Sequence, residues 1–529
     1  MQPETQTARR ASAGIYGVRM WYAIAARWHR VIDTWLDGVE SGWSIGVLLA
    51  GFVLVWTIIL TIAYQGADLH PDALEAWSIG QIPAWGYAKH PPVMGWIAAL
   101  WFGVFPLSDW AFQLLAMTNA AVGLWAVDLI SRRFASGNKR IVILLLLMLL
   151  PTYHFHAQRF NANAVLVSLW PIAAYCFLRS FETRAALWAL LAGLAAALAM
   201  LGKYYSIFLL GGFVVAAALH PGRRAYFLSL APWLSAASGT AFLAPHIHWL
   251  ATHNYAPFTY ATSLHTGFGL LESVNEAGKF LLGNLYTIAL PALAWTIMIR
   301  PHTRRCLADL AAIRDGRLLL LLIFLASTGL AAAVTIGLRT SMPALWNWQG
   351  LFLLIVPTVS AATFPIGRSR VYRLMTSVAA IFAVIAASAP LHAIYRNAYG
   401  YSERRNSYRG AAEELTQRWH GLTASPIFAV SGDDRLALAV TFYSGDHPLY
   451  GRLLPGEEGW KYPDASILTR GWVALCFEDD AYCTHWMNEV EQLNGPMIRQ
   501  EITVRSHLWI WPGTTARIIA LMALPRGAS

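Results

Sequence analysis

Three carboxylates lie close together early in the chain, in the segment Asp68-Leu69-His70-Pro71-Asp72-Ala73-Leu74-Glu75. Pro71 suits the first position of a helix, where its missing N–H costs nothing. Asp72 then falls in the first turn, with Glu75 three residues on along the same face. Asp68 precedes the helix, and the three acids are expected to gather at one spot. Such a cluster could take a proton from an acceptor hydroxyl. It could also hold a hard divalent cation through oxygen ligands, the one cofactor these residues suggest. The plain alternative is that acids in a first turn stabilise the helix dipole and do no chemistry. Shortly after comes Trp85-Gly86-Tyr87-Ala88-Lys89-His90-Pro91-Pro92. Its Lys89 and His90 could hold a phosphate, and the same residues could serve only as an interfacial anchor.

These groups need a scaffold, and the composition says which kind. Of the 529 residues 57% are hydrophobic and 13% charged, about half the charged share of an ordinary soluble domain, roughly 25%. Mean hydropathy is +0.45. The net charge of +10 comes from arginines in short loops between apolar runs. That pattern fits the positive-inside rule and excludes a nucleic-acid footprint. Apolar runs near 43–64, 110–130, 140–153, 163–179, 185–201, 204–219, 225–245, 280–299, 317–338, 346–366 and 370–391 give about eleven crossings. The 140–153 run is short, and only Gly202 and Lys203 separate 185–201 from 204–219, which demands a tight hairpin.

Arginine and lysine concentrate in alternate loops, around 132–140, 179–184, 223–224, 300–317 and 368–373, while the other loops hold mostly single cations. The N-terminus is therefore expected in the cytoplasm, and the acidic loop outside. Apolar run 93–105 is too short to cross and reads as an interfacial or re-entrant helix within a structured first outer loop, 65–109. Residues 1–42 read as a basic cytoplasmic leader, with an interfacial helix around 16–35 or a disordered tail, and 43–392 as the transmembrane domain. From 393 to 529 charged residues return. Strands at 426–431, 472–477, 501–509 and 516–524, with helices at 433–443 and 480–493, make a small periplasmic α/β domain. Cys476 and Cys483 lie there and could pair in an oxidising compartment.

Gly86-Tyr87-x-x-His90-Pro91-Pro92, after Asp72, resembles the first outer loop of GT-C membrane glycosyltransferases of family 39. Protein O-mannosyltransferases, aminoarabinose transferases and rhizobial galacturonosyltransferases belong to this branch. The likeness continues through Arg159-Phe160-Asn161-Ala162-Asn163 and Gly202-Lys203-Tyr204-Tyr205, and covers roughly 45–220. It implies transfer of a sugar from a polyprenyl-phosphate donor, in a bacterial inner membrane, to an outer acceptor such as lipopolysaccharide, another glycolipid or an envelope glycan. Direct attack by the acceptor would invert the anomeric carbon. The family's first-loop Asp corresponds to Asp72. Relatives usually carry adjacent Asp-Glu; here Ala73 takes the second place and Glu75 is the nearest acid. Lys89, His90, Arg159, Lys203 and Arg339 are the candidates for the donor phosphate. Asp68, Tyr87, Asn161, His246 and His248 are the candidates for the sugar and acceptor pocket, and Asp68, Asp72 and Glu75 for a metal. Aromatics around 342–349 are expected in the interfacial belt. A transporter or flippase of lipid-linked intermediates is the competing reading, although no inverted repeat is visible.

Overall fold

The computed structural model describes residues 27, 30–265, 267–451, 463, 465–495 and 497–525. It is a polytopic helical membrane protein with a small soluble α/β domain at its C-terminal end. Each expected crossing contains a helix: α1 Trp43–Ala63, α4 Asp109–Ser131, α5 Asn138–Met148, α6 Leu166–Thr183, α7 Ala186–Gly202, α8 Ile207–Leu219, α10 Ala231–Thr252, α12 Leu270–Ile299, α14 Asp315–Gly337, α15 Phe352–Ala361 and α16 Arg368–Tyr399. Among the described residues five stretches, α1, α4, α12 with its continuation to Ala311, α14 and α16, are long and apolar enough to cross unaided. A bent pair, α5 followed by Pro151–Arg159, makes a sixth and turns by 78°. The short 140–153 run is thus part of a sharply bent helix pair rather than a straight helix. Such breaks are tolerated at membrane depth only where protein satisfies the freed backbone groups. Of the expected leader helix, 16–26 lies outside the described residues, and 30–37 is helical.

The expected hairpin at Gly202-Lys203 takes a different form. One extended residue, Lys203 (φ −163°, ψ 137°), and a 3-10 turn, Tyr204–Ser206, separate α7 from α8. α7 then packs on α6 and α10, whereas α8 packs on α14. The helices part company, which leaves Lys203 at the fork.

The first outer loop is structured, as its composition implies. Helix α2, Pro71–Gly80, starts with Pro71 at its first position and His70 as N-cap, whose Nδ1 accepts from Asp72 N–H at 3.2 Å. The short apolar helix α3, Val93–Phe102, lies against α2. Their closest approach needs glycine on both sides. A Cβ on Gly80 would meet the Gly95 carbonyl at 2.7 Å, and one on Gly95 would meet Ile79 at 2.7 Å.

Expected and observed elements of the soluble domain agree closely. β3 is Trp472–Phe477, β4 Ile498–Leu508, β5 Trp511–Ala523, and β1 Ala429–Gly432. The helices are α18, Asp434–Tyr443, and α20, Ala481–Asn494. Unforeseen are the two-residue strand β2, Leu449–Tyr450, and helix α17, Tyr408–His420. The boundary at 393 is also moved, because α16 runs unbroken through it to Tyr399. The sheet order is β2-β1-β3-β5-β4, with the first three strands parallel and β5 antiparallel to both neighbours. Cys476 and Cys483 form a disulfide, Cα to Cα 5.6 Å, joining β3 to the start of α20.

At the end opposite the acidic loop, Asp128 and Arg140 form an ion pair shut off from solvent, 0% and 1% exposed, at 2.9 Å. Arg140 also donates to the Val39 carbonyl at 2.9 Å, and Arg132 reaches Asp128 at 2.8 Å. A buried pair adds little net stability, but removing one partner strands the other. Asp128→Ala should therefore destabilise the detergent-solubilised protein by about 3–5 kcal/mol, read as a lowered thermal midpoint.

Candidate active site

Helix α2 presents Asp72 and Glu75 to a cavity of ≈ 160 Å³, and the two carboxylates meet different partners. Asp72 is half-buried. Its Oδ2 accepts from Asn161 Nδ2 at 2.8 Å and lies 3.6 Å from His70 Nδ1. Burial alone would raise its pKa. His70, the Asn161 hydrogen bond, Lys89 and Arg159 together outweigh that and hold it below the ordinary carboxylate value. Asp72 is thus an ionised acceptor at neutral pH. Asn161 is itself fixed, because its Oδ1 takes the N–H groups of Asn163 and Ala164, both at 3.0 Å, where the chain turns into α6.

Glu75 is buried and paired with Lys89 Nζ at 3.0 Å, with His90 Nε2 at 3.6 Å. The lysine therefore arrives at the cavity with a counter-charge beneath it. Burial, then the neighbouring Lys89 and Lys203, push His90 down to about 3. His90 is neutral at physiological pH and offers a ring nitrogen, not the positive charge expected of it. Burial likewise pushes His70 down to about 4, against the pull of Asp72.

Lys203, at the fork between α7 and α8, places its ammonium 3.8 Å from the Trp346 ring centroid and bonds Asn163 Oδ1. Its polar surroundings are a ring face and one amide oxygen, and burial pushes Lys203 down to about 7, against the pull of Asp72. It acts electrostatically on both Asp72 and His90. Trp346, expected in the lipid-facing belt, turns inward to carry this lysine. Arg159 is exposed and lies within electrostatic reach of Asp72, His70 and His156.

Four expectations are corrected. The three carboxylates do not converge. Asp68 lies in extended chain before the helix cap and faces the soluble domain, where Oδ2 accepts from Arg409 N–H at 3.0 Å. Burial and nearby Asp109 push it up to about 7, with Arg409 opposing. Among the described residues no group of three His, Cys, Asp or Glu could hold a metal ion, and the set Asp68, Asp72, Glu75 is divided by this turn. Arg339 is exposed at the end of α14; like Arg159, Asn161 and Lys203 it does not line the cavity, and unlike Arg159 it is not among the charges acting on Asp72. His246 and His248 lie two residues apart on one helix and so face differently. His246 is buried, its Nδ1 2.5 Å from the Trp85 carbonyl and Nε2 3.1 Å from Tyr204 OH, and it braces the outer loop. His248 is exposed. Tyr87 does line the cavity, but its hydroxyl is committed to the Ile82 carbonyl at 2.7 Å.

Sequence reasoning missed the far wall. Tyr260 comes from α11, Ala256–His265, and Asp434, Leu438 and Tyr450 from the soluble domain. A seam of polar contacts seats that domain. Leu69 N–H donates to Tyr443 OH at 2.9 Å, Tyr443 OH to Asp109 at 3.0 Å, Arg409 to Asp109 at 2.8 Å, and Arg405 Nη2 to the Asp68 carbonyl at 2.7 Å. Trp77 Nε1 and Gln81 Nε2 reach the carbonyls of Thr441 and His447 at 3.3 and 2.9 Å.

Comparison with known proteins agrees with this geometry. Residues 89–249 match the profile of the dolichyl-phosphate-mannose-protein mannosyltransferase family. No curated protein sequence matches the chain. The crystal structure of ArnT from Cupriavidus metallidurans bound to undecaprenyl phosphate superposes with a TM-score of 0.55 at 15% identity, covering 92% of this chain and 99% of that one. The same protein in its apo state gives 0.56 at 13%, covering 92% and 98%. The likeness read from the first outer loop is borne out, and the chain takes the GT-C membrane glycosyltransferase fold.

Proposed function

We propose that this chain moves a sugar from a polyprenyl-phosphate donor to a hydroxyl of an envelope glycan or glycolipid on the outer membrane face, with Asp72 as the carboxylate that engages the acceptor. The observation that carries this reading is a half-buried Asp72, held by the Asn161 amide and facing a cavity that Lys89 also lines, with Lys203 within electrostatic reach. The likeness to ArnT, whose structure holds undecaprenyl phosphate, supports the donor class.

In this reading the acceptor oxygen attacks the anomeric carbon as the bond from that carbon to the phosphate oxygen breaks. The bonding pair leaves with the prenyl phosphate, and the anomeric configuration inverts. Asp72 orients the hydroxyl and receives its proton, which passes on to solvent or the released phosphate. Charge develops on the phosphate as the bond breaks, and cations fixed beforehand stabilise it without reorganisation. Lys203 and Lys89 are placed for that, with Arg159 nearby. Glu75 keeps Lys89 in position, so its role is to hold the lysine and not to take the proton. No metal is required for this assignment.

The arginine-rich loops support a topology with the acidic loop and the soluble domain outside the cytoplasm and the N-terminus inside, and the disulfide suits an oxidising compartment. Tyr482 is 83% exposed on the soluble domain. A cysteine placed there should react with a membrane-impermeant maleimide in intact spheroplasts; reaction only after lysis would reverse the topology. Asp72→Asn should lower transfer from a polyprenyl-phosphate sugar by about 10²–10⁴, with donor lipid still bound; undiminished turnover would remove Asp72 from the reaction. Asn161→Ala deletes a hydrogen bond that lowers the Asp72 pKa. Its carboxyl should titrate higher, so activity should fail at a higher pH on the acid side than in the parent protein. An unmoved acid limb in the pH–rate profile would contradict that coupling.

A further inference from the structure

The hairpin joining β4 to β5 closes with Leu508 paired to Trp511, which leaves Trp509 and Ile510 as a two-residue turn. Turns of this kind favour glycine or asparagine where φ is positive. Here Trp509 takes that place at φ +53°, a conformation costly for a bulky side chain. The turn is also bare. Trp509, Ile510 and Trp511 are 73%, 86% and 48% exposed. Farther from the turn the outward side chains are polar and exposed: Glu501, Thr503, Arg505 and His507 on β4, Thr515 and Arg517 on β5. The apolar exposure of this face therefore begins at the tip. Water alone would favour the opposite choice, and a concentrated exposed apolar patch marks an interaction surface.

The direction of the hairpin says what covers it. β4 and β5 pack along the end of α16, and their contacts descend it. A Cβ on Gly400 would meet Thr514 at 3.5 Å. One residue earlier on β5, Gly513 lies against the Asn397 carbonyl, and Asn397 Nδ2 donates to the Trp511 carbonyl at 3.0 Å. Leu508 and the Ala393 carbonyl both adjoin Gly66, 3.7 and 3.8 Å from where its Cβ would stand. From Gly400 to Ala393 the helix axis advances about 10 Å, and the strands follow it toward the spanning part of α16. The level they reach is where spans end. Arg396 Nη1 donates to the carbonyl of Ala63, the last residue of α1, at 2.6 Å. On α16 itself Leu391 and Tyr395, four residues apart on one face, are 66% and 62% exposed, as lipid-facing residues of a span are.

We propose that the Trp509–Ile510–Trp511 tip is a membrane anchor, inserted into the headgroup region of the leaflet on the soluble domain's side. Indole rings favour that zone, where the ring meets acyl chains and the N–H meets water. The isoleucine at the apex supplies the deepest apolar group. The soluble domain is then held at two places: by protein, through the polar seam to the acidic loop, and by lipid, through the hairpin. β4 and β5 belong to the same sheet as β2, whose Tyr450 walls the cavity of Asp72, so the bilayer itself sets the height of that wall. The anchor is independent of the reaction proposed for the cavity.

The test uses the full-length protein in nanodiscs of phosphatidylcholine and phosphatidylglycerol, with a nitroxide attached at Ile510→Cys. The reference is a nitroxide at Glu501→Cys, exposed on the same strand about 30 Å away. The free thiols Cys176 and Cys306 are buried, and both labelled positions are exposed, so the fold should tolerate them. Power saturation compares collisions with oxygen, which concentrates in lipid, and with a nickel chelate, which stays in water. The oxygen-to-nickel ratio should be several-fold higher at 510 than at 501. Adding Trp509→Ser and Trp511→Ser together should bring the 510 value toward that of 501. Equal ratios at the two positions, or a high ratio at 510 that the serines leave unmoved, would overturn the anchor. So would a 510 label shielded from both probes in particles holding two copies of the chain, since the tip would then meet protein and not lipid.

Discussion

A carboxylate in a half-buried place stays charged only if its surroundings supply what water would have supplied, and Asp72 depends on this. The backbone of α2 sets its position through the His70 cap, and the turn into α6 brings Asn161 to within 2.8 Å. Two distant segments, one before the second crossing and one after the bent pair at α5, must meet for a single hydrogen bond. The bend after α5, the fork at Lys203 and the inward Trp346 are other departures from regular helix that serve the same few ångströms. Regular helices would carry the chain through the bilayer more cheaply, since each break exposes backbone groups that must find partners. The irregularities cluster where charges are held, and the plain helices do the spanning.

The pairing of charges follows a similar logic. Lys89 rests on buried Glu75, so one lysine faces the cavity with its charge compensated, whereas Lys203 is cushioned by an aromatic face and an amide. A ring quadrupole attracts an ammonium without cancelling it as a carboxylate does. The two lysines differ in charge state as a result: Glu75 helps to hold Lys89 above its ordinary value, whereas burial pushes Lys203 down to about 7. His90 and His70, both kept neutral by burial, add hydrogen-bonding nitrogens without adding charge.

Much of this was legible in the residues. Pro71 after a histidine marked the start of α2, and the apolar six-residue run of β3 was bounded by turn signals, so it was read with its true limits. The carboxylate cluster was misread for a specific reason. Asp68 is near Asp72 in sequence but precedes the helix cap, and its side chain meets Arg409 instead. Helical spacing governs only residues inside the helix. The contributions of Tyr260, Asp434 and Tyr450 left no local signal, because only the tertiary fold brings the second outer loop and the soluble domain against α2. Trp346 carried no distinguishing signal in a sequence holding 24 tryptophans, a residue type ordinarily enriched at membrane surfaces.

The polar seam between the acidic loop and the soluble domain also orders events in time. Asp68 and Asp109 are made early, but Arg405, Arg409 and Tyr443, which grip them, emerge only near the end of synthesis. Until that late segment has docked, α2 is held on one side alone and the wall supplied by Asp434 and Tyr450 is missing. A ribosome-bound chain with every membrane helix inserted thus has no finished reaction chamber. The last quarter of the protein therefore finishes the chamber that the membrane helices only begin.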